Sequence, residues 1–387
     1  MEETNFSAGA SGRVRLFVDL SRLAANYRLL RDRLAVRGTE PMAVVKANAY
    51  GHGMLPVAAA LAAEGCRRFA VSSLEEGIAL RRVLPGAYIL VLGYVPPAAA
   101  RLAAEEGLSL SVFGLAYARA LSHRLGGRPL SVEIKLNSGM NRWGLPLTPD
   151  RFEATLRAAL AIAADPRLCA VGVFSHLASA DRPGDGATAL AVSRFRAAVA
   201  ALARRGLSLP SHLAASAAVL GGVAEGMAVA RLGLALYGYP PTPAAAPSGL
   251  RPVARLVTDI ASVFSVARGE RVGYGGVFRA RRREVIGILP IGYADGLLRS
   301  AEGGSVRVAG RLCPLVGRIS MDAAAVLLTG IPRREAREAT LFGEETSDLY
   351  RLSEAAGTIP YELLAGLGAR IDRKYSYGNG TGTCDTE

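Results

Sequence analysis

The sequence predicts an α/β chain: a parallel (β/α)8 barrel of the TIM type followed by a C-terminal mainly-β domain. Two observations carry this. Between residues 42 and 236, eight short apolar, strand-like runs alternate with alanine- and leucine-rich segments of helical spacing, the rhythm of parallel strands joined by crossover helices. After a proline-rich stretch near residue 240, short apolar runs punctuated by glycine take over, which reads as strands joined by turns. No Gly-x-Gly-x-x-Gly turn opens the first unit, which disfavours an open dinucleotide-binding sheet.

In chain order, residues 1–13 are expected to be a flexible N-terminus. Val14–Asp19 alternates like a strand, and Leu23, Tyr27, Leu30 and Leu34 recur at helical spacing. The barrel strands are read at Met42–Lys46, Phe69–Ser72, Tyr88–Leu92, Leu108–Phe113, Leu130–Leu136, Cys169–His176, His212–Ala215 and Ala228–Leu236. Helices are expected at Leu55–Ala63, Leu74–Val83, Pro97–Glu106, Arg151–Ala164 and Ala189–Ala203. Residues 14–240 are thus assigned to the barrel, with the first strand, 14–18, a candidate to pair with the C-terminal domain. Residues 241–252 read as a linker and 253–376 as the β-rich domain, with apolar runs at Leu256–Phe264, Val285–Ile291, Ser305–Val308 and Ala323–Leu328. The tail, 377–387, is expected to be disordered.

A chain of 387 residues has enough apolar content to bury a core without staples. Its four cysteines, Cys66, Cys169, Cys313 and Cys384, show no Cys-x-x-Cys spacing, which argues against a disulfide framework or a metal site and fits a reducing cytoplasm. The N-terminus lacks a signal-peptide pattern and no run approaches membrane-span length, so no membrane association is expected. A net charge of +13 raises nucleic acid as a partner, but the arginines are dispersed and no reading motif accompanies them, so none is expected. The densest run, Arg279–Arg283, reads as an exposed hairpin turn.

Charge composition also points to a chemistry. The chain holds three lysines, Lys46, Lys135 and Lys374, against 43 arginines. Arginine keeps its charge at any working pH, whereas a lysine amine can be desolvated, deprotonated and joined to a carbonyl. A (β/α)8 barrel places its active site at the C-terminal ends of its strands. There Lys46 ends the first strand, Arg142 lies beyond the fifth, His176 ends the sixth and Ser216 follows the seventh; Arg231 and Gly233 lie in the eighth, which Tyr237 closes. Phosphate groups commonly bind the loops after strands seven and eight, where Ser216 and Gly233 lie. An amine, an imidazole, a buried arginine and a hydroxyl so placed suit an aromatic aldehyde carrying a phosphate, and pyridoxal 5'-phosphate meets every requirement. Taken singly, His176 reads as a core histidine, Arg231 as a buried ion-pair partner and Ser216 as a helix N-cap before Ala217; their joint placement favours the site.

The motifs Val45–Gly53, Ser138–Arg142, Phe174–Asp181, Arg231–Gly233, Val272–Gly275, Ile291–Gly296 and Gly317–Asp322 stand in one order over nearly the whole chain. In these the sequence resembles the alanine racemases, barrel-type pyridoxal-phosphate enzymes. The resemblance implies that Lys46 carries the cofactor and is one catalytic base. Tyr274 is then the other, contributed by the partner subunit of a homodimer whose active sites are shared across the interface. It implies that Tyr50, Ser216 and Tyr361 bond the phosphate, that Arg231 and Gly233 contact the cofactor with Arg231 facing the pyridine nitrogen, that His176 flanks the ring and holds Arg231, and that Arg142 bonds the phenolic oxygen. Arg142, Tyr293, Met321 and Asp322 would bind the amino-acid substrate. Lys135 occupies the place at which some members carry a carbamylated lysine, paired with the arginine seven residues on; a plain strand lysine beside Glu133 is the other reading. His52 and Cys313 read as structural.

The implied reaction is the conversion of L-alanine to D-alanine, a supply for peptidoglycan. A serine or broad-specificity racemase is the nearest alternative, because Asn137-Ser138 stands where the family more often has Asp-Thr, and Trp143 where leucine is frequent. A decarboxylase on the same plan would put a carboxylate, not Arg231, on the pyridine nitrogen. A non-enzymatic cofactor-homeostasis protein would lack the β-rich domain and Tyr274.

Overall fold

The structure, a computed structural model, describes residues 12–182, 184–223, 226–240 and 249–377. The expectations for residues 1–11, for most of the linker (241–248) and for the tail beyond Tyr377 lie outside the described residues. The chain forms two compact units. One holds the N-terminal strand, residues 50–53 and the chain from Arg251 on; the other holds Leu23–Ala49 and Met54–Leu250.

The second of these is a ring of eight parallel strands. In chain order they are Glu40–Val44, Arg68–Val71, Tyr88–Val91, Ser109–Val112, Leu130–Asn137, Leu168–Phe174, Ser211–His212 and Val229–Leu232. The eighth pairs with the first. The seam between the seventh and eighth is carried by Ala228 N–H to Ser211 O and Arg231 N–H to Ala214 O, both 3.0 Å, and by a bridge between Ala215 and Arg231. The second, third, fourth and eighth strands are almost wholly buried, as parallel strands covered by an outer ring of helices are expected to be. That explains why their sequences read as continuous apolar runs and not as alternations.

Each expected barrel helix is present, with ends shifted by a few residues: Met54–Ala63, Leu74–Val83, Ala100–Glu105 after a short 3-10 turn at Pro97–Ala99, Phe152–Ala163 and Gly186–Arg204. Helix Leu74–Val83 begins with a capping box in which Ser73 and Glu76 satisfy each other's backbone N–H groups. An additional helix, Leu115–Ser122, was not expected; it is short, and Gly114 gives it no side-chain cap. The expectation that no segment reaches membrane-span length is corrected, since Gly186–Arg204 has 19 residues and is apolar enough on average. It carries Arg194, Arg196 and Arg204, and buries Ala191, Phe195, Ala198, Ala201 and Leu202, the one-sided pattern of an outer barrel helix.

The other unit is built on a nine-stranded, mostly antiparallel sheet. Val14–Asp19 lies inside it, antiparallel to Ala254–Asp259 and parallel to Asp372–Ser376. The expected run Leu256–Phe264 is two strands, Ala254–Asp259 and Ser262–Val266, which occupy distant places in the sheet. Arg281–Arg283 are exposed but do not turn a simple hairpin: Phe278–Arg279 pairs with Arg271–Val272, and the following strand, Glu284–Leu289, pairs with Ser262–Val266. Val266, Val272, Ala280, Ile286 and Val316 form a local core there. Helices Thr346–Ala355 and Pro360–Ala365 complete the unit.

Candidate active site

The first barrel strand ends at Val44, and Val45 N–H still bonds Ala70 O at 2.9 Å. Beyond Lys46 the backbone turns left-handed. Ala47, Asn48 and Ala49 have φ/ψ of 53/52°, 52/46° and 55/51°, and Tyr50 follows with φ 52°. Such a conformation disfavours L-residues by about 1–2 kcal/mol each and persists only where the surroundings enforce it. Three bonds do so here: Ala49 N–H to Val45 O at 2.8 Å, Met54 N–H to Asn48 Oδ1 at 2.8 Å, and Ala47 N–H to Glu76 Oε1 at 2.6 Å. The sequence's Lys-Ala-Asn-Ala-Tyr-Gly motif is therefore a structural device as well as a carrier of the lysine. Burial lowers the Lys46 pKa, Arg142 and Arg231 lower it further, and Glu76 opposes them.

Arg231, from the eighth strand, is buried at 3% exposure and both of its terminal nitrogens are engaged. Its Nη2 donates to Ser175 O at 2.7 Å, to Leu213 O at 3.2 Å and to His176 Nδ1 at 3.1 Å, while Nη1 donates to His212 Nδ1. His212 Nε2 in turn bonds Glu133 Oε2, and Tyr88 Oη donates to Glu133 Oε1. Since Arg231 can only donate, His212 must accept at Nδ1 and carry its proton at Nε2. Burial then keeps His212 neutral, its pKa lowered despite the opposing pull of Glu133. Burial works against the Glu133 carboxylate, but its interactions with His212, the Tyr88 hydrogen bond and the Arg231 cation hold its pKa below the ordinary value. Burial brings the Arg231 guanidinium down to about 10, with Glu133 opposing, so it remains a cation at neutral pH. A chain of fixed polarity thus runs from Tyr88 through Glu133 and His212 to Arg231.

His176 accepts from the same guanidinium. Burial, then Arg231, Arg142, Lys135 and Lys46, drive its pKa to about 3, which leaves a neutral ring at working pH. Lys135 is buried; burial, Arg142, Arg231 and Lys46 lower its amine to about 8. Its Nζ lies 5.3 Å from the Phe174 ring centre and 5.5 Å from that of Trp143. Trp143 continues a stack through Phe113 (5.4 Å) to Tyr117 (4.4 Å). Arg142 is exposed, beyond a turn in which Asn137 Oδ1 accepts from Gly139 and Asn141 N–H.

Ser216 is not an N-cap. It is the first residue of helix Ser216–Leu220, and its Oγ accepts from Gly233 N–H at 2.9 Å and Ala235 N–H at 3.4 Å. The loops after strands seven and eight are thereby tied together, with a hydroxyl and backbone N–H groups gathered where barrels commonly hold phosphate.

In the β-rich unit, Tyr274 is 70% exposed on a turn whose flanking Gly273, Gly275 and Gly276 all have positive φ. A Cβ on Gly317 would meet Val272 O at 2.7 Å, so that glycine lets the Tyr274 turn sit against residues 317–318. Tyr293 and Met321 lie side by side, joined by Tyr293 N–H to Ser320 O and Ala294 N–H to Met321 O, and both are exposed. Asp322 pairs with Arg370 at 2.6 Å, and Arg370 also pairs with buried Asp295 at 2.7 Å. Tyr50 and Tyr361 stand with ring centres 6.1 Å apart, and burial, then Tyr361, push the Tyr50 hydroxyl well above its ordinary pKa.

The sequence-derived residues therefore fall into groups within each unit. Lys46, Lys135, Arg142, His176 and Arg231 act on one another electrostatically, and Ser216 bonds Gly233. Tyr293, Met321 and Asp322 are adjacent, Tyr50 faces Tyr361, and Tyr274 is fixed by its own turn. Sequence reasoning missed Glu133, His212 and Glu76. A signal existed for Glu133, which stands two residues before Lys135 on an apolar strand and so shares its face.

A barrel with this amine, a neutral imidazole on a fixed guanidinium, and a hydroxyl-linked pair of loops after strands seven and eight belongs to the class of barrel enzymes that carry their site at the C-terminal ends of the strands. The matches to known proteins narrow the class. Residues 18–241 match the family description "Alanine racemase, N-terminal domain", and residues 253–375 match "Alanine racemase, C-terminal domain". The alanine racemase of Symbiobacterium thermophilum is 38% identical over 369 residues, 92% of this chain and 96% of that protein. That of Streptomyces coelicolor is 36% identical, with 97% and 99% covered; its solved structure superposes with a TM-score of 0.87 over 95% of this chain and 98% of that one, at 35% identity. The Bacillus anthracis alanine racemase, solved with bound L-Ala-P, gives a TM-score of 0.88 at 30% identity, covering 98% of both chains. The chain belongs to the alanine racemase family, a family of isomerases. The resemblance carried by the motifs and the predicted fold class are both borne out.

Proposed function

We propose that this chain racemises alanine with pyridoxal 5'-phosphate by a two-base mechanism, Lys46 and Tyr274 acting on opposite faces of the α-carbon. The observation that supports it most is Arg231, a cation held by four acceptors. When bound, the cofactor supplies an electron-withdrawing ring that acidifies the α-proton of an attached amino acid. Arg231 would stand at the ring nitrogen as a guanidinium that keeps its proton, which would limit that withdrawal and favour return of the proton over side reactions. A decarboxylase would need a carboxylate at this position. The donor set fits the cofactor: Lys46 would be the amine that holds it, Ser216, Gly233, Tyr50 and Tyr361 would serve its phosphate, His176 would flank its ring and Arg142 would bond its phenolic oxygen.

Lys46, with its lowered pKa, takes or returns a proton as an amine. Tyr274, exposed on its turn, does so from the partner subunit of a homodimer. Arg142, Tyr293, Met321 and Asp322 bind the substrate. A carbamylated lysine and a plain strand lysine beside Glu133 are the two readings of Lys135. Serine is the second substrate reading, favoured by Asn137-Ser138 and the Trp143 stack, which depart from the family pattern. The three described cysteines are free, which fits a reducing cytoplasm and a role in D-alanine supply for peptidoglycan.

The test is chiral chromatography of L-amino acids after incubation with the protein and cofactor. D-Alanine should form at the highest kcat/KM and stop forming with Lys46→Ala. No D-alanine, or faster turnover of D-serine, refutes the substrate assignment.

A further inference from the structure

We infer that Glu76 is a positioning residue for Lys46: its carboxylate pins the peptide that follows the lysine and presents a negative charge to the amine. This rests on Lys46 being the reactive amine of the proposed function. Glu76 stands at the start of helix Leu74–Val83, after the second barrel strand, and its two oxygens do different work. Oε2 accepts from Ser72 N–H at 2.8 Å and Ser73 N–H at 3.3 Å, which closes the helix cap. Oε1 reaches across to the first strand and accepts from Ala47 N–H at 2.6 Å.

The Ala47 N–H belongs to the peptide joining Lys46 to the left-handed turn, so this bond fixes the orientation of the lysine's own carbonyl side. Helix capping needs one oxygen; the second serves the turn alone. Two of the four left-handed residues are the alanines Ala47 and Ala49, whose methyl side chains cannot make the local hydrogen bond that lets asparagine tolerate this region. Without an external hold, the turn would relax toward right-handed geometry and redirect Lys46.

The charge has a second effect. The groups that act on the Lys46 amine are Arg142, Arg231 and Glu76, and Lys135 and His176 feel it in turn. Of these Glu76 is the anion, and it opposes the two arginines.

The experiment uses pyridoxal, the aldehyde without phosphate, with borohydride trapping over a pH series and peptide mapping at Lys46. Glu76→Gln keeps a residue that caps helices but offers one acceptor oxygen and no charge. Its trapping midpoint should move to lower pH by about half a unit to one unit, and its plateau should fall severalfold. Glu76→Asp keeps the charge without the reach, so its midpoint should stay near that of the wild type while the plateau falls. Glu75→Gln, at the adjacent exposed carboxylate, should change neither. A Glu76→Gln curve that superimposes on the wild type, or one shared by Glu75→Gln, refutes the inference alone. Absence of trapping at Lys46 in the wild type refutes the lysine's role and this inference with it.

Discussion

Removing the Glu133 carboxylate tests whether the barrel balances Arg231 internally. Glu133, His212 and Arg231 are 3%, 1% and 3% exposed, so neither charge can turn to water. In Glu133→Gln the amide oxygen can accept from His212 Nε2–H and the amide nitrogen can donate to Tyr88, so both hydrogen bonds survive and only the charge is lost. The cost should be about 1 kcal/mol, the difference between a charge-assisted and a neutral hydrogen bond. Glu133→Leu instead strands the His212 and Tyr88 donors and leaves the guanidinium without its counter-charge, which should cost about 3–5 kcal/mol. The single tryptophan, Trp143, lies in the barrel, so its fluorescence during urea unfolding reports on that unit without contributions from the β-rich one. The order wild type, Gln, Leu is expected, with unchanged urea dependence. A leucine variant within about 1 kcal/mol of the wild type would refute the internal pairing.

Stability of the barrel should also fall with acid through its histidines. Both His176 and His212 have folded-state pKa values below the unfolded value of about 6.5, His176 at about 3, so their contribution is complete above about pH 6.5 and is lost as pH falls. Each adds up to about 1.4 kcal/mol per pH unit over that window; an unfolding midpoint that stays flat between pH 6.5 and 5 would contradict it. Lys135, at about 8, should be neutral in about one molecule in ten at pH 7. Carbon-13 bicarbonate should therefore give a carbamate resonance that disappears in Lys135→Met, and an unchanged spectrum would leave the plain lysine. Mixing Lys46→Ala with Tyr274→Phe subunits should restore up to about a quarter of wild-type activity, since half the dimers are hybrids and each has one intact site. No recovery after confirmed subunit exchange would confine each site to one chain.

Much of the barrel was legible because parallel strands buried on both faces are uninterrupted apolar runs, and the eight runs coincide with the eight strands. The β-rich unit was less so. Leu256–Phe264 is one apolar run but two strands, because the chain turns at Ile260–Ala261 without the glycine or proline that normally marks a turn. Strands Arg311–Val316 and Glu338–Phe342 carry polar residues among their apolar ones and gave no clear run. At the site, residues at strand ends could be named because barrel topology fixes where they point. Their partners could not, since Ala47 to Glu76, Arg231 to His212 and His212 to Glu133 join elements whose relative placement the sequence does not state.

Gly172 shows what would have been needed. It pairs with Glu133 in the sheet, at a register shift, and a Cβ there would stand 2.8 Å from the Glu133 Cδ. The carboxylate is buried because its neighbour has no side chain, so the two residues form one design separated by 39 positions. Read alone, Gly172 weakens a strand and Glu133 interrupts an apolar one; once the register joins them, the two irregularities explain each other. The same logic predicts that Gly172→Ala, which leaves every charge in place, should displace Glu133 from His212 and, by stranding that donor, reproduce part of the Glu133→Leu loss. If it does not, the carboxylate can be accommodated elsewhere, and its hold on Arg231 is not the reason for the glycine.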